Sequence, residues 1–180
     1  MSFRRVVTAK NASGKSVVVS DGVSPREMAL KHTPGFVCAP IWMFAGTPSL
    51  SLEGNDPMAV PGASLLPGPG CSSFLVVTFP PDSVMMSPEF DPALAGPEHL
   101  AAAPGIAERF ELDNPGMHTT PTVDYAVVVS GEIWLELDDG ALVHLKHNDL
   151  VVQQGARHAW RNRGNSPATL AFVLIGAGTK

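Results

Sequence analysis

At 180 residues the chain is long enough to enclose a real core within one domain. A net charge of −5 argues against nucleic acid or an anionic membrane surface as a main partner, since both need clustered basic side chains. Seventeen Gly and seventeen Pro argue against a mainly helical chain, and a hydrophobic share of 44% describes a globular, rather apolar one.

The N-terminus, Met1-Ser2-Phe3-Arg4-Arg5, has a basic start without an apolar run after it, so no signal peptide is expected. No stretch is long and apolar enough to span a bilayer. Cys38 and Cys71 lack a metal-type spacing, and reduced thiols in a cytoplasmic protein are expected.

Phe3 to Ala9 and Lys15 to Ser20 alternate weakly and predict a hairpin turned at Asn11 to Gly14. Asp21-Gly22 signals a further turn. Gly35 to Ala45 predicts a buried strand broken or edged by Pro40, with Trp42 and Met43 in the core. Thr47 to Gly70 is rich in Pro, Gly and Ser and reads as a loop long enough to cover a site. Phe74 to Phe79 is a short strand ended by Pro80-Pro81-Asp82. Pro97 to Ala103 predicts a short helix stopped at Pro104-Gly105, and Ile106 to Phe110 a further helical turn. The segment from Ser87 to Gly116 reads as a connector on the rim, with a lid as its functional alternative. Asp113-Asn114-Pro115-Gly116 forms a turn. His32, His99, His144 and His147 read as solvated.

The stretch from Met117 to Asn162 organises the chain. Val123 to Val129 is dominated by β-branched residues and predicts a strand. Ile133, Leu135 and Leu137 alternate with polar residues in the next. Asp139-Gly140 signals a tight hairpin, because both central positions of that turn need positive φ. Val143 and Leu145 return, His147-Asn148-Asp149 turns again, and Leu150 to Gln153, His158 to Asn162 and Ala168 to Ile175 give three more strands. Regularly spaced short strands indicate a sandwich or barrel. Side chains of equal parity share a face of a strand, so His118, Thr120 and Asp124 point one way, as do His158, Trp160 and Asn162. In a small barrel His118, Asp124 and His158 could meet. Two imidazoles and a carboxylate can form a facial triad with open coordination positions. The plainer reading makes Asp124 a turn cap and the histidines satisfied core groups.

This stretch resembles the cupin family, an antiparallel jelly-roll barrel. The family's first motif is G-x5-H-x-H-x3,4-E-x6-G. His118 stands at its first His, Thr120 at the second, Asp124 at the Glu and Gly131 at the final Gly; Leu112 stands where the leading Gly belongs. In the second motif, G-x5-P-x-G-x2-H-x3-N, Gln153 falls at the Pro, Gly155 at the Gly, His158 at the His and Asn162 at the Asn. The resemblance covers residues 117 to 176 well and the first half loosely. It implies an all-β jelly-roll with an N-terminal strand extension and one or two short rim helices, in one domain over residues 1–180. It also implies a metal held by three His and one Glu, of which this chain keeps His118, Asp124 and His158.

Two functions are open on this reading. One is a metal-assisted enzyme acting on a small organic molecule by decarboxylation, dioxygenation, dehydration or isomerisation, with Fe, Zn, Mn or Ni admissible. The other is a metal-free, non-catalytic small-ligand-binding protein. Thr120, Gln153 and Trp160 are pocket candidates in both. A homodimer is expected, because apolar N-terminal residues and an open strand edge leave surface for a partner to cover.

Overall fold

The structure is a computed structural model that describes residues 2–48, 50 and 56–178. Eleven strands and one α-helix follow one another as β1 (Arg4–Lys10), β2 (Ser16–Val23), β3 (Met28–Ala29), β4 (Val37–Phe44), β5 (Ser72–Phe79), α1 (Pro92–Ala102), β6 (Thr122–Ser130), β7 (Glu132–Glu136), β8 (Leu142–Lys146), β9 (Leu150–Gln154), β10 (Ala159–Arg161) and β11 (Ala168–Gly176). A six-stranded antiparallel sheet runs β3-β4-β5-β11-β6-β9, and a three-stranded one runs β10-β7-β8. Sequential hairpins alternate between the two sheets while β11 inserts between β5 and β6, which is the double-wound order of a jelly roll.

The core lies between the sheets. Leu75, Val77, Leu170 and Leu174 from the larger pack with Ile133, Leu135 and Leu145 from the smaller. The alternation read in the sequence produces this directly: along β6 Thr122, Asp124, Ala126 and Val128 are buried, and the residues between them are not. Gly131 turns the chain from β6 to β7 at φ 75°, where a Cβ would lie 2.6 Å from the Pro167 carbonyl oxygen. Both the conformation and the space require glycine there. The hairpin between β7 and β8 has Asp139 and Gly140 both at positive φ, as the Asp-Gly signal implies.

Several expectations are corrected. Gly22 lies inside β2 at φ 156°, so Asp21-Gly22 is no turn. The break read at Pro40 is kept in part: β4 is one strand, but its register against β5 shifts between Pro40 and Trp42, and Pro40 lies beyond the reach of the two-residue β3. Trp42 and Met43 are half-buried and not core; Trp42 packs on Phe44 and under the Arg5 guanidinium. The helix begins five residues before Pro97, because Asp91 caps it by accepting from the Ala93 N–H and Pro92 occupies the first helical position. His99 is not solvated: it bonds the Thr33 hydroxyl at 3.1 Å, meets the Phe36 ring at 4.7 Å, and burial lowers its pKa. Of the loop from Thr47 to Gly70, residues 49 and 51–55 lie outside the described residues, and the rest sends Leu65 into the core. Cys38 and Cys71 are unpaired thiols. No helix among the described residues is long and apolar enough to cross a membrane.

Candidate functional site

A cavity of about 100 Å³ opens between the sheets. Its walls are apolar: Phe36, Val77, Phe79 and Phe172 from the large sheet and its approach, Trp160 from β10, and Ile106 and Phe110 from the segment after α1. Its polar lining groups are His118, Thr120, Asp124, Gln153 and His158. The segment from Ser87 to Gly116 therefore does more than connect, since Ala103, Ile106 and Phe110 all line the cavity. Arg157 holds that segment in place, reaching Glu111 at 2.6 and 2.7 Å and Asp138 at 2.8 Å.

The two histidines meet by backbone pairing. His118 and His158 form an isolated antiparallel bridge, exchanging N–H to carbonyl bonds of 2.9 Å in both directions. Side chains of such a pair project to one side, and the ring centroids are 4.2 Å apart. Each ring is locked in the same way. His118 Nδ1 donates to the Gly116 carbonyl at 3.0 Å, and His158 Nδ1 to the Ala156 carbonyl at 2.9 Å. A carbonyl only accepts, so Nδ1 carries the hydrogen in each ring and Nε2 carries the lone pair.

Gln153 and Asp124 are cross-strand partners on β9 and β6. The Gln153 amide nitrogen lies against the His158 ring, 2.6 Å from Nδ1 and 2.9 Å from Nε2. Nδ1 already gives its hydrogen to Ala156, so Nε2 is the ring atom that can accept from the amide. Gln153 Oε1 and Asp124 Oδ1 are both buried without a hydrogen-bond partner. Thr120 is buried, but its hydroxyl bonds that of Thr122 at 2.8 Å and leaves the cavity centre to others. Trp160 turns its edge to His158 at 5.8 Å. Asn162, on the same strand face, is spent on structure: it ties the Phe79 and Ser166 carbonyls together at 3.0 and 2.9 Å.

Burial sets the electrostatics. It pushes the His158 imidazole down to about 4, with the neighbouring His118 adding to the effect. It lowers His118 as well, opposed by the Gly116 carbonyl and by Glu111. It raises Asp124, opposed by a hydrogen bond from Thr122. At neutral pH the site offers two neutral imidazoles and one poorly solvated carboxyl.

Donor types suit a divalent ion in part: the His118 Nε2 lone pair and a buried carboxylate oxygen without a partner, while His158 Nε2 already accepts from Gln153. Placement is less complete. Among the described residues no three His, Cys, Asp or Glu side chains are grouped as a metal site, and Asp124 stands apart from the imidazole pair. Sequence reasoning missed the cavity walls. Phe36, Phe79 and Phe172 carried only the signal of buried residues, and Ile106 and Phe110 carried none.

The strand order, the paired sheets and the histidine bridge make this a cupin-fold protein. No protein-family model matches the chain. It is 38% identical over 89 residues to phomopsin biosynthesis cluster protein C′ of Diaporthe leptostromiformis, covering 47% of each chain. Over 62 residues it is 34% identical to a cupin-domain-containing oxidoreductase of Hypocrea virens, covering 33% of this chain and 32% of that one. The chain thus spans half or less of the length of the curated relatives it matches. Among solved structures, the cupin_2 domain of an XRE family transcriptional regulator from Enterobacter cloacae superposes with a TM-score of 0.40 at 16% identity, covering 80% of this chain and 99% of that one.

Proposed function

We propose that the chain binds a small, largely apolar organic molecule inside the barrel and acts on it through His118, Asp124 and His158, as an enzyme of small-molecule biosynthesis. The observation that carries this reading is the lining of the cavity, with aromatic and aliphatic walls and His118, His158 and Asp124 among its few polar groups. A concave apolar site with a few convergent polar groups and shifted pKa values is what a small-ligand site requires. The matched relatives carry names of biosynthesis cluster proteins and of an oxidoreductase, which agrees with such a role. Unpaired thiols agree with a cytoplasmic setting.

In this reading the walls orient the apolar body and exclude water, and His118 Nε2, the imidazole lone pair that Gln153 leaves free, accepts a proton from the substrate. The Nδ1 bonds to Gly116 and Ala156 keep both rings in the tautomer that can do so. Decarboxylation, dehydration, isomerisation and dioxygenation are the reaction classes the fold family suggests. His118, His158 and Asp124 would hold a divalent ion, which when bound would polarise a substrate carbonyl or carboxylate. A second reading, metal-free binding without catalysis, is favoured by one contact: the Gln153 amide already occupies the His158 lone pair.

The test is a thermal-shift screen of small ring compounds on tag-free protein, beside elemental analysis. A ligand at about 100 times its dissociation constant adds roughly 2.7 kcal/mol of stability. The shift should vanish when the cavity is filled by Ala126→Phe. A shift that survives the filled cavity places the ligand elsewhere and refutes the reading. One equivalent of metal in the parent, lost in both His118→Ala and Asp124→Ala, supports the metal-assisted form. Metal that fails to bind after incubation with each of Fe, Zn, Mn and Ni leaves the metal-free form.

A further inference from the structure

Apart from the Trp160 N–H, the polar side-chain atoms that the cavity leaves without a partner are hydrogen-bond acceptors, and we infer that the molecule bound there enters with a donor head group, an amine or a hydroxyl, and not with a carboxylate. This rests on the small-ligand reading above and narrows its substrate class.

Three acceptor atoms carry the argument. His118 Nε2 is a lone pair, because Nδ1 holds the hydrogen given to the Gly116 carbonyl. Gln153 turns its amide nitrogen to His158, which leaves Oε1 as the atom without a partner, and Oε1 is buried. Asp124, directly across the strand pair from Gln153, contributes a second buried oxygen without a partner. The one hydroxyl that lines the cavity here, Thr120, is engaged with Thr122. No lysine or arginine is among the described residues that line the cavity.

Such a lining is costly when empty of donors, since a buried acceptor without a hydrogen bond has lost its water and gained nothing. A buried carboxylate with no cation is costlier still. A protonated amine supplies both the donors and the balancing charge. A hydroxyl supplies a donor alone. A carboxylate brings two more acceptors and a second negative charge into an apolar chamber, where repulsion is weakly screened. The order amine, alcohol, carboxylate therefore follows from the atoms present.

Three probes of nearly one shape test it: benzylamine, benzyl alcohol and benzoate, titrated into the protein at neutral pH by calorimetry. EDTA is present throughout, so that no adventitious ion takes the acceptors in place of a ligand. Benzylamine should bind at least about tenfold more tightly than benzoate, a factor worth about 1.4 kcal/mol, with benzyl alcohol between. Asp124→Asn should remove the advantage of the amine over the alcohol. Should the Asn variant not fold, Gln153→Met reads the neighbouring acceptor and should weaken the alcohol and the amine together. Benzoate binding as tightly as benzyl alcohol overturns the donor inference and leaves the small-ligand reading intact. Failure of all three probes, and of the wider ring-compound screen, overturns that reading and the inference with it.

Discussion

The two faces of the six-stranded sheet contrast in an unusual way. On the inner face, where a barrel core calls for apolar groups, β6 and β9 place Asp124 and Gln153 side by side, buried and each with an oxygen unpaired. On the outer face, where solvent calls for polar groups, the ladder runs Trp42, Phe74, Val173, Tyr125, Val152 across five strands. Tyr125 and Val152 are 51% and 65% exposed. The next ladder, Val76, Ala171, Val127, Leu150, is equally free of charge, and Leu150 is 75% exposed. Each departure costs stability in the isolated chain, so each needs a use. In the proposed reading a ligand answers the inner one and a second copy would cover the outer one, and the two can be separated because they lie on opposite parities of the same strands.

The largest effect should come from the ordinary part of the inner face. Leu170 is fully buried between the sheets. Leu170→Ala should cost about 3 kcal/mol, from lost burial and the cavity left behind. The matching deletion on the outer face, Val152→Ala, should cost no more than about 0.5 kcal/mol in one chain. Urea unfolding of both variants measures the ratio, and similar costs would remove the distinction between the faces.

Next comes pH. His158 has its folded pKa pushed down to about 4, against an ordinary imidazole value of 6.5. Between those values the unfolded chain binds the extra proton, so stability rises with pH through this window and is lost as pH falls from 6.5 towards 4. His118, also lowered, acts in the same sense. Asp124, raised, acts in the opposite sense: above its ordinary range the folded state holds the proton, so stability declines as pH rises through that interval. The net slope should be positive and on the order of a few kcal/mol across the window. His158→Leu should flatten it. A parent melting temperature flat from pH 4 to 6.5 would contradict the buried, neutral imidazoles.

Smaller again is Asp124→Asn. Removing an unpaired buried charge should leave stability unchanged or raise it by about 1 kcal/mol. The same substitution should abolish the function the carboxylate serves. A loss of stability would mean that the hydrogen bond from Thr122 outweighs the cost of burying the charge, which would make the inner face ordinary after all.

How much of this was legible in the chain depends on distance along it. The common face of His118, Thr120 and Asp124 follows from parity within one extended run, and so does that of His158 and Trp160. Asp139-Gly140 and Gly131 carry their turns locally, through φ. What the sequence does not carry is which strands lie beside one another. Asp124 faces Gln153 only because β9 returns along β6 after the β7–β8 hairpin, and no local pattern states that register. The locking of both imidazoles depends on backbone carbonyls of Gly116 and Ala156, whose directions belong to the loops and not to their side chains. The size of Trp42 predicts the core, yet the strand presents it outward at the end of the apolar ladder. The start of α1 is written in Asp91-Pro92, a cap and a first-turn proline, ahead of the Ala-rich run that carries the helical propensity.

The outer face gives the smallest effect on one chain and the clearest one on assembly. We propose that a second copy covers it, giving the homodimer expected from the sequence. Both ladders lack charge, which disfavours a strongly charged partner, and a twisted antiparallel face can stack on its own copy about a two-fold axis. Further valines, Val18, Val19 and Val23, are exposed on the β1–β2 ribbon, which shares no ladder with either sheet and would gain from a neighbour. Tyr125→Lys with Val152→Lys places two cations on one ladder and none in the cavity, since both side chains point away from it. Light scattering at micromolar concentration should give a dimer for the parent and a monomer for the double variant. Ligand affinity should stay within about twofold, because the inner parity is untouched. A parent that is monomeric at that concentration, or a double variant that remains dimeric, would show that the exposed ladders are not the contact. A variant that turns monomeric and loses its ligand would show that the two faces are coupled and do not serve separate ends.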